Sequence, residues 1–484
     1  MLGTAQANSD SRVERLIVKL RNSAGDQTLS TDHRQVLEAR CGTRLTTLRT
    51  LANGAHLLKL PQPMPELEAQ ALVAAISTDP SVEYAEPDSR RYITATPDTT
   101  EPRYPEQWYL FATPGGMSLP AVWNADVGNS STPGGVIVAV IDSGYRPHVE
   151  FAARILPGYD FISDTFTAND GNGRDSSALD PGDWVTSTEA TAHSDCSVQD
   201  SSWHGTFITG MIAASADSTG IAGINAQARI LPVRVLGKCG GFISDIADSM
   251  RWAAGLPVSG VPNNPNKAKI INLSVDGKGA CSNTEQAAIN AVTAAGVTVI
   301  VAAGNDIHDN VANYSPANCS GVIAVAATTI NGTLTRYSNI GNKIAISAPG
   351  GDGLDEILST SNTGLTAPGS DNYVYYSGTS FATAAVSGVA SLILSVRPEL
   401  TPADVRTVLR TSADPITDNA CNGNVCGAGI VNAEAAVNAA LVYVAPPPPA
   451  ASSGGGGGGG SDLLSLLALL SAGSVRNRSA RLKK

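Results

Sequence analysis

The sequence predicts an α/β protein with a parallel sheet covered by helices on both faces, preceded by a small α+β unit. Between residue 105 and about residue 444, short apolar runs bounded by turn residues alternate with runs of helical spacing. This alternation is typical of parallel strands joined by crossover helices. The chain has 484 residues, of which 42% are hydrophobic, so it can bury a large core.

The N-terminal part is expected to be a separate unit. Residues 1–12 contain Ala5-Gln6-Ala7, which has the small-x-small form of a signal-peptidase site. Either this is a coincidence or the chain starts inside a longer signal peptide. Residues 13–94 should form the α+β unit. Its predicted elements are a strand at Leu16–Leu20, a helix at Pro65–Ile76 and a closing strand at Ser81–Tyr84.

The larger unit, residues 105–444, should contain the parallel sheet. Its predicted strands are short apolar runs: Gly135–Ile141, Ala228–Val235, Lys269–Ser274, Val297–Ala302 and Val322–Ala326. Its predicted helices have apolar residues at helical spacing: Asp245–Ala254, Thr284–Ala295 and Ser380–Val396.

The charge balance excludes one class of partner. The formal net charge is −11 and the isoelectric point is about 5.0, so no nucleic-acid partner is expected. No apolar run reaches the roughly 20 residues of an ordinary membrane span.

Three short motifs carry the side chains of acyl-transfer chemistry. Asp142 ends the first apolar run, His204 opens a helix-like stretch, and Ser380 begins a long helix of small residues. A serine hydroxyl is a poor nucleophile until a histidine accepts its proton and a carboxylate holds that imidazole in the correct tautomer. Each motif alone could be a turn or a helix cap. Their order and spacing together predict a catalytic triad.

The order Asp, His, Ser and the segment Gly378–Thr383 resemble the subtilisin family of serine endopeptidases. The resemblance implies a subtilisin-like parallel sheet sandwiched by helices. It also implies that Ser380 is the nucleophile, that His204 is the base and that Asp142 orients His204.

The segment Val301–Asn305 resembles the one that carries the family's oxyanion-hole asparagine. The resemblance implies that the Asn305 amide and the backbone N–H of Ser380 donate to the oxyanion. A glycine is usual where Asp276 stands. Its carboxylate either faces the first specificity pocket and favours basic or polar residues, or points to solvent. The positions implied for substrate contact are Ser274, Val275, Asp276, Gly304 and Pro316.

The run Val82–Pro87 resembles the end of a subtilisin propeptide. The resemblance implies that residues 13–94 form an inhibitory propeptide and that the enzyme is secreted to the extracellular space. It also implies self-cleavage between about Asp88 and Tyr104. An ordinary accessory domain is the alternative.

Seven cysteines are present. If Cys41 lies in a removable segment, six remain, an even number that suits disulfides in an oxidising compartment. Sequence alone leaves their pairing open. Resemblance to disulfide-bearing secreted subtilisins implies the pairs Cys196–Cys239, Cys281–Cys319 and Cys421–Cys426.

A loop rich in glycine and aspartate spans residues 160–183 and offers hard oxygen donors, which suit Ca²⁺. Subtilisin-like enzymes commonly pin such loops with calcium, so a structural calcium site is predicted. Simple solvation of the carboxylates is the alternative. The candidate ligands are Asp160, Asp170, Asp175, Asp180 and Asp183.

The C-terminal tail differs in composition from the rest. Residues 445–461 are a Pro/Gly-rich linker, and residues 462–484 are an apolar segment with a basic end. This arrangement resembles the sorting signal that rhomboid-type proteases clip in some Gram-negative bacteria. It implies a Gram-negative origin, surface attachment or transient membrane contact, and trimming near the glycine run. A linker with an apolar terminal helix is the alternative.

Two rival functions belong to other classes. A catalytically silent, surface-displayed binding protein on the same scaffold is opposed by the complete set Asp142, His204, Ser380 and Asn305. An esterase on an α/β-hydrolase fold is opposed by the motif order and by the lack of a Gly-x-Ser-x-Gly elbow.

Overall fold

The N-terminal unit is an antiparallel sheet with two helices packed against it. In the computed structural model, apolar side chains such as Leu16, Leu37 and Ile76 fill the space between these layers. The strand order is the second, third, first and fourth. The predicted α+β unit is therefore present. Its elements are β1 (Arg12–Leu20), α1 (Thr31–Cys41), β2 (Thr46–Thr50), β3 (His56–Pro65), α2 (Glu66–Ser77) and β4 (Val82–Pro87).

The structure describes residues 12–21, 29–88, 90–93, 96–98, 104–124, 135–194, 196–215 and 220–445. The helices and strands within these ranges belong to one compact unit that ends at Val444. Apart from residues 12 and 445, the expected leader, linker and C-terminal segment lie outside the described residues.

The larger domain follows in the chain. Before it, β5 (Arg90–Ile93) ends the N-terminal unit and β6 (Thr96–Asp98) lies in the connection. The strands of the larger domain are β7 (Ile137–Asp142), β8 (Tyr159–Asp160), β9 (Arg229–Arg234), β10 (Gly241–Phe242), β11 (Ile270–Leu273), β12 (Val275–Lys278), β13 (Thr298–Ala302), β14 (Tyr314–Ser315), β15 (Ile323–Thr328), β16 (Ile344–Pro349), β17 (Ile357–Asn362) and β18 (Asp371–Ser377). Its helices are α3 (Leu119–Asn124), α4 (Thr165–Ala168), α5 (Ser187–Ala192), α6 (His204–Ala213), α7 (Ile243–Ala253), α8 (Asn283–Ala294), α9 (Thr379–Val396), α10 (Pro402–Thr411) and α11 (Ala433–Val442).

Seven of these strands form the central sheet in the order β16-β15-β13-β11-β7-β9-β8, and every pairing in it is parallel. Successive residues of β7 face opposite layers. Val138 and Val140 pack into the core that contains α6 and α9, whereas Ala139 and Ile141 pack into the core that contains α7 and α8. Strands covered on both faces must be apolar throughout, which explains the uninterrupted apolar runs. The predicted fold class is confirmed.

Helix α9 crosses the first of these two cores. By length and composition it could span a membrane, but 89% of it is buried inside the protein, so it is a core helix. Its small residues permit close approach to its neighbours: a Cβ at Gly388 would lie 2.7 Å from the Ile224 side chain. The helix thereby holds its N-terminal residues rigidly at one edge of the sheet.

Candidate active site

Asp142 and His204 form a buried, hydrogen-bonded pair at the carboxyl edge of the central sheet. Asp142 is the last residue of β7 and His204 is the first residue of α6. The Nδ1 atom of His204 lies 2.8 Å from Oδ1 and 2.9 Å from Oδ2 of Asp142. Because Nδ1–H donates to the carboxylate, Nε2 is left as a proton acceptor. This Nε2 is buried and has no hydrogen-bond partner among the described residues.

Two further aspartates hold the backbone around this pair. Asp180 accepts a 2.7 Å hydrogen bond from the Ser143 hydroxyl, which itself accepts from the Gly205 N–H at 3.1 Å. Asp183 accepts from the N–H and the hydroxyl of Ser202 at 2.6 and 2.7 Å. Burial, and then the charge of Asp183, raise the pKa of Asp180 to about 7. The sequence alone indicates neither of these supporting roles.

Ser380 is the second residue of α9 and is fully buried. Its Oγ donates to the carbonyl of Ser274 at 3.3 Å, and the Ser274 hydroxyl donates to the carbonyl of Ser380 at 2.9 Å. Asn272 donates to that same Ser274 hydroxyl at 2.9 Å. The ring of Phe381 lies 5.8 Å from the His204 ring, so α6 and α9 bring the histidine and serine motifs together.

Asn305 holds a buried amide donor beside the start of α9. Its Oδ1 accepts from the N–H and the hydroxyl of Thr379 at 3.0 and 2.9 Å. Since a backbone N–H can only donate, this contact fixes which side of the amide is oxygen. The Nδ2 group is buried and has no hydrogen-bond partner within the described part of the chain. An oxyanion that develops next to Ser380 would satisfy this donor.

Strand β5, from the end of the N-terminal unit, lies between two edge strands of the larger domain. It pairs antiparallel with β10 on one side and with β12 on the other, and β12 pairs in turn with β14. This is the backbone pattern of recognition by strand addition. The register pairs are Arg90–Phe242, Arg91–Gly241, Tyr92–Asp276 and Ile93–Val275.

Of the residues expected to contact substrate, Val275 and Asp276 pair with this strand. Ser274 precedes β12, Val275 and Asp276 lie in it, Gly304 follows β13 and Pro316 follows β14. Asp276 is only 7% exposed, and a Cβ added at Gly304 would collide with its Oδ2 atom. Its carboxylate therefore lies between β12 and the segment after β13 and does not point to solvent.

Glu86 connects the N-terminal unit to the start of α8. Its two carboxylate oxygens accept from the backbone N–H groups of Asn283 and Thr284 at 2.7 and 2.9 Å. These N–H groups would otherwise lack partners within the helix. Burial, the largest cause, and the charge of Glu285 raise the pKa of Glu86 to about 7, although the hydrogen bonds from Thr284 and Asn283 oppose the shift.

Asp88 makes a similar contact at the start of α7. It accepts from the N–H and the hydroxyl of Ser244, both at 2.9 Å, and pairs with Arg15 at 2.9 Å. Arg49 of the N-terminal unit adds ion pairs to Asp245 and Asp248 on the same helix. The larger domain therefore holds the N-terminal unit by buried charges as well as by strand pairing.

The five aspartates predicted to bind calcium do not converge on one point. Asp160 and Asp170 both pair with the buried Arg234, and Asp175 accepts from the Ser177 N–H at 2.6 Å. Asp180 and Asp183 are occupied by the serine contacts described above. Within the described ranges, no group of three or more His, Cys, Asp or Glu side chains could hold a metal ion. Protein donors and a guanidinium contact these carboxylates, and the calcium site expected at these residues stays a prediction.

The structure contains three disulfides, at the pairs that the resemblance implied. They join Cys196 to Cys239, Cys281 to Cys319 and Cys421 to Cys426, while Cys41 in the N-terminal unit is free. Cys239 stands two residues before β10, so the first disulfide ties a neighbouring loop to one of the edge strands that flank β5.

The fold and this site define an α/β protein with a buried Asp-His pair and a serine at a helix start. Its strand-binding groove is the space between β10 and β12 that β5 occupies. The subtilase family profile matches residues 134–429, which is more than half of the chain. The chain therefore belongs to the subtilase family.

Similarity to individual proteins extends beyond the profile. The chain is 48% identical over 399 residues to an extracellular protease of Xanthomonas campestris pv. campestris, covering 82% of this chain and 66% of that protein. It is 37% identical over 401 residues to an extracellular basic protease of Dichelobacter nodosus, covering 81% and 64%. The chain thus spans less than two thirds of the length of either relative.

Solved structures show the same fold. Proteases from Pseudoalteromonas arctica match with a TM-score of 0.66 and 46% identity, covering 71% of this chain and 99% of theirs. Fervidolysin from Fervidobacterium pennivorans, a keratinolytic enzyme related to subtilisin, matches with a TM-score of 0.63, covering 93% of this chain and 63% of its own. Its 21% identity supports the fold alone.

Proposed function

We propose that the protein is a secreted serine endopeptidase whose N-terminal unit is an inhibitory propeptide. The observation that carries the proposal is the buried Asp142–His204 pair near the start of α9, which holds Ser380. Beside that helix start lies the Asn305 amide, whose Nδ2 has no partner among the described residues. Membership of the subtilase family supports peptide-bond hydrolysis. Two relatives named extracellular proteases support secretion.

In the proposed mechanism, Ser380 Oγ attacks the scissile carbonyl while His204 Nε2 accepts its proton. Asp142 holds the imidazole in the required tautomer and stabilises the imidazolium. The Asn305 Nδ2 group and the Ser380 N–H donate to the oxyanion of the tetrahedral intermediate. His204 then protonates the leaving amine, and water hydrolyses the acyl-enzyme by the same steps.

The triad is tested by substitution in the mature enzyme. Ser380→Ala and His204→Ala should each lower turnover of casein by roughly 10⁴- to 10⁶-fold, because the members act as one unit. Ser320→Ala, at an exposed serine, is the matched control and should keep normal turnover. Near-normal hydrolysis by a folded Ser380→Ala protein would overturn the assignment of Ser380 as the nucleophile. Absence of hydrolysis by the wild-type enzyme would favour the silent binding protein instead.

We also propose that the N-terminal unit is removed by self-cleavage. Strand β5 enters the groove as a substrate chain would, and its register pairs Ile93 with Val275. The position before Val275 is Ser274, whose carbonyl contacts Ser380 Oγ. We therefore expect the scissile bond to follow residue 94, inside the predicted range of Asp88 to Tyr104.

Several features stay predictions from sequence and family resemblance. They are a structural calcium ion in the loop of residues 160–183, trimming near the glycine run by a rhomboid-type protease, surface attachment or transient membrane contact, and a Gram-negative origin.

A further inference from the structure

We propose that Asp276 makes this enzyme prefer lysine or arginine immediately before the cleaved bond. The inference rests on the proposed endopeptidase function and names the substrate class of that site.

The carboxylate of Asp276 lies against the backbone of Gly304, the residue before the proposed oxyanion donor Asn305. Asp276 stands two residues after Ser274, whose carbonyl contacts Ser380 Oγ. Its Oδ2 atom takes the place that a Cβ of Gly304 would need. Gly304 directly precedes Asn305. The carboxylate therefore contacts the residue that is next in sequence to Asn305, whose amide is proposed to bind the oxyanion.

A peptide bound like β5 would send one side chain into this gap. Its backbone pairs with β12, and the carbonyl under attack must sit between Ser380 and Asn305. The side chain of that same residue then enters between β12 and residues 303–305. Asn339 also borders the gap: its Nδ2 donates to the Ala303 carbonyl at 3.1 Å and would be 2.5 Å from a Gly304 Cβ. The side chain therefore meets a carboxylate and an amide.

A buried carboxylate at this place discriminates by charge. An incoming ammonium or guanidinium gains a charge-assisted hydrogen bond in a site shielded from water. A large apolar side chain would desolvate the carboxylate further and offer no compensation. Self-cleavage after residue 94 is not bound by this preference, because the high effective concentration of a tethered segment offsets a poor fit.

The test is a set of peptides that differ only in the residue before the cleaved bond: Lys, Arg, Phe, Leu and Glu. For the mature enzyme we expect kcat/KM to be about 10- to 100-fold higher for Lys and Arg than for Phe and Leu, the range of one charge-assisted hydrogen bond. Asp276→Asn keeps the shape and removes the charge, so it should abolish most of that ratio by lowering kcat/KM for the Lys and Arg peptides. Asp200→Asn, at an exposed aspartate, controls for net charge and should leave the ratio unchanged.

Each outcome separates the two proposals. Cleavage of Phe and Leu peptides as fast as Lys and Arg peptides by the wild-type enzyme would overturn the role of Asp276 and leave the endopeptidase function standing. The same conclusion follows if Asp276→Asn keeps the wild-type ratio. Absence of cleavage of every peptide, with no labelling of Ser380 by a serine-reactive phosphonate, would refute the endopeptidase function and the preference with it.

Discussion

At the residue scale, the orientation of Asn305 is as informative as its position. Thr379 binds the amide oxygen through two hydrogen bonds, so only the NH₂ group can face the groove. Among the described residues this donor is buried without a partner. That arrangement costs free energy in the free enzyme, and a reaction intermediate would supply the missing acceptor.

Removal of this donor should slow the chemical step specifically. Asn305→Ala is expected to lower kcat by about 10²- to 10³-fold with little change in KM, because the contact strengthens only in the transition state. Steady-state kinetics on one peptide would measure both constants. A variant with normal kcat and raised KM would instead assign Asn305 to ground-state binding.

Single residues also show where sequence reasoning ends. Asn305 is predicted by the resemblance of its segment to a known one. Asp180 and Asp183 are predicted as calcium ligands, yet they brace Ser143 and Ser202. A loop rich in aspartate carries no periodic signal, and its partners lie about 20 to 40 residues away in sequence. Its hydrogen bonds therefore cannot be derived from local spacing.

At the element scale, helix α8 begins at a carboxylate from a different part of the chain. Its own cap residue, Ser282, accepts from Glu285, while Glu86 takes the N–H groups of Asn283 and Thr284. The first N–H groups of a helix in the larger domain are thus bound by Glu86, a residue of the N-terminal unit that is expected to be removed.

The raised pKa of Glu86 predicts a pH dependence with a definite sign. Its pKa rises from 4.5 to about 7 in the folded chain, so any stability from Glu86 is fully present below pH 4.5 and declines as the pH rises through 7. Gln is neutral throughout this range. The test compares the thermal unfolding midpoints of Ser380→Ala chains with and without Glu86→Gln. The midpoint of the Glu86→Gln chain, relative to that of the chain with Glu86, should be higher at about pH 8 than at pH 4.5. An unchanged difference would contradict the prediction.

Element prediction follows the strength of the local pattern. The apolar runs that form β7, β9, β11, β13 and β15 are predictable because burial on both faces leaves few polar positions. Strand β16 lies at the edge of the sheet and is missed, as are β17 and β18. In β18, the buried residues Val374 and Tyr376 alternate with half-buried ones. Because the half-buried Tyr373 and Tyr375 are also aromatic, the sequence hides the period that a half-buried strand usually shows.

At the scale of the whole molecule, strand pairing and buried ion pairs join the N-terminal unit to the larger domain. These contacts predict that cleavage and release are separate steps. The uncleavable Ser380→Ala chain should keep residues 13–94 attached, and the wild-type chain should begin at residue 95 after processing.

Intact mass and N-terminal sequencing of both pure proteins measure this outcome. Ser320→Ala is again the control and should be processed like the wild type. Removal of the unit at a normal rate from pure Ser380→Ala protein would assign the cleavage to another protease.

The insertion of β5 between β10 and β12 has a consequence for what the mature enzyme can attack. Once β5 leaves, the groove offers two open sheet edges that only an extended chain can join. A segment held in a helix or in the middle of a sheet has already committed its N–H and C=O groups and cannot lie there. The enzyme is therefore expected to cleave unfolded or locally unfolded chains and to leave compact domains intact until they unfold.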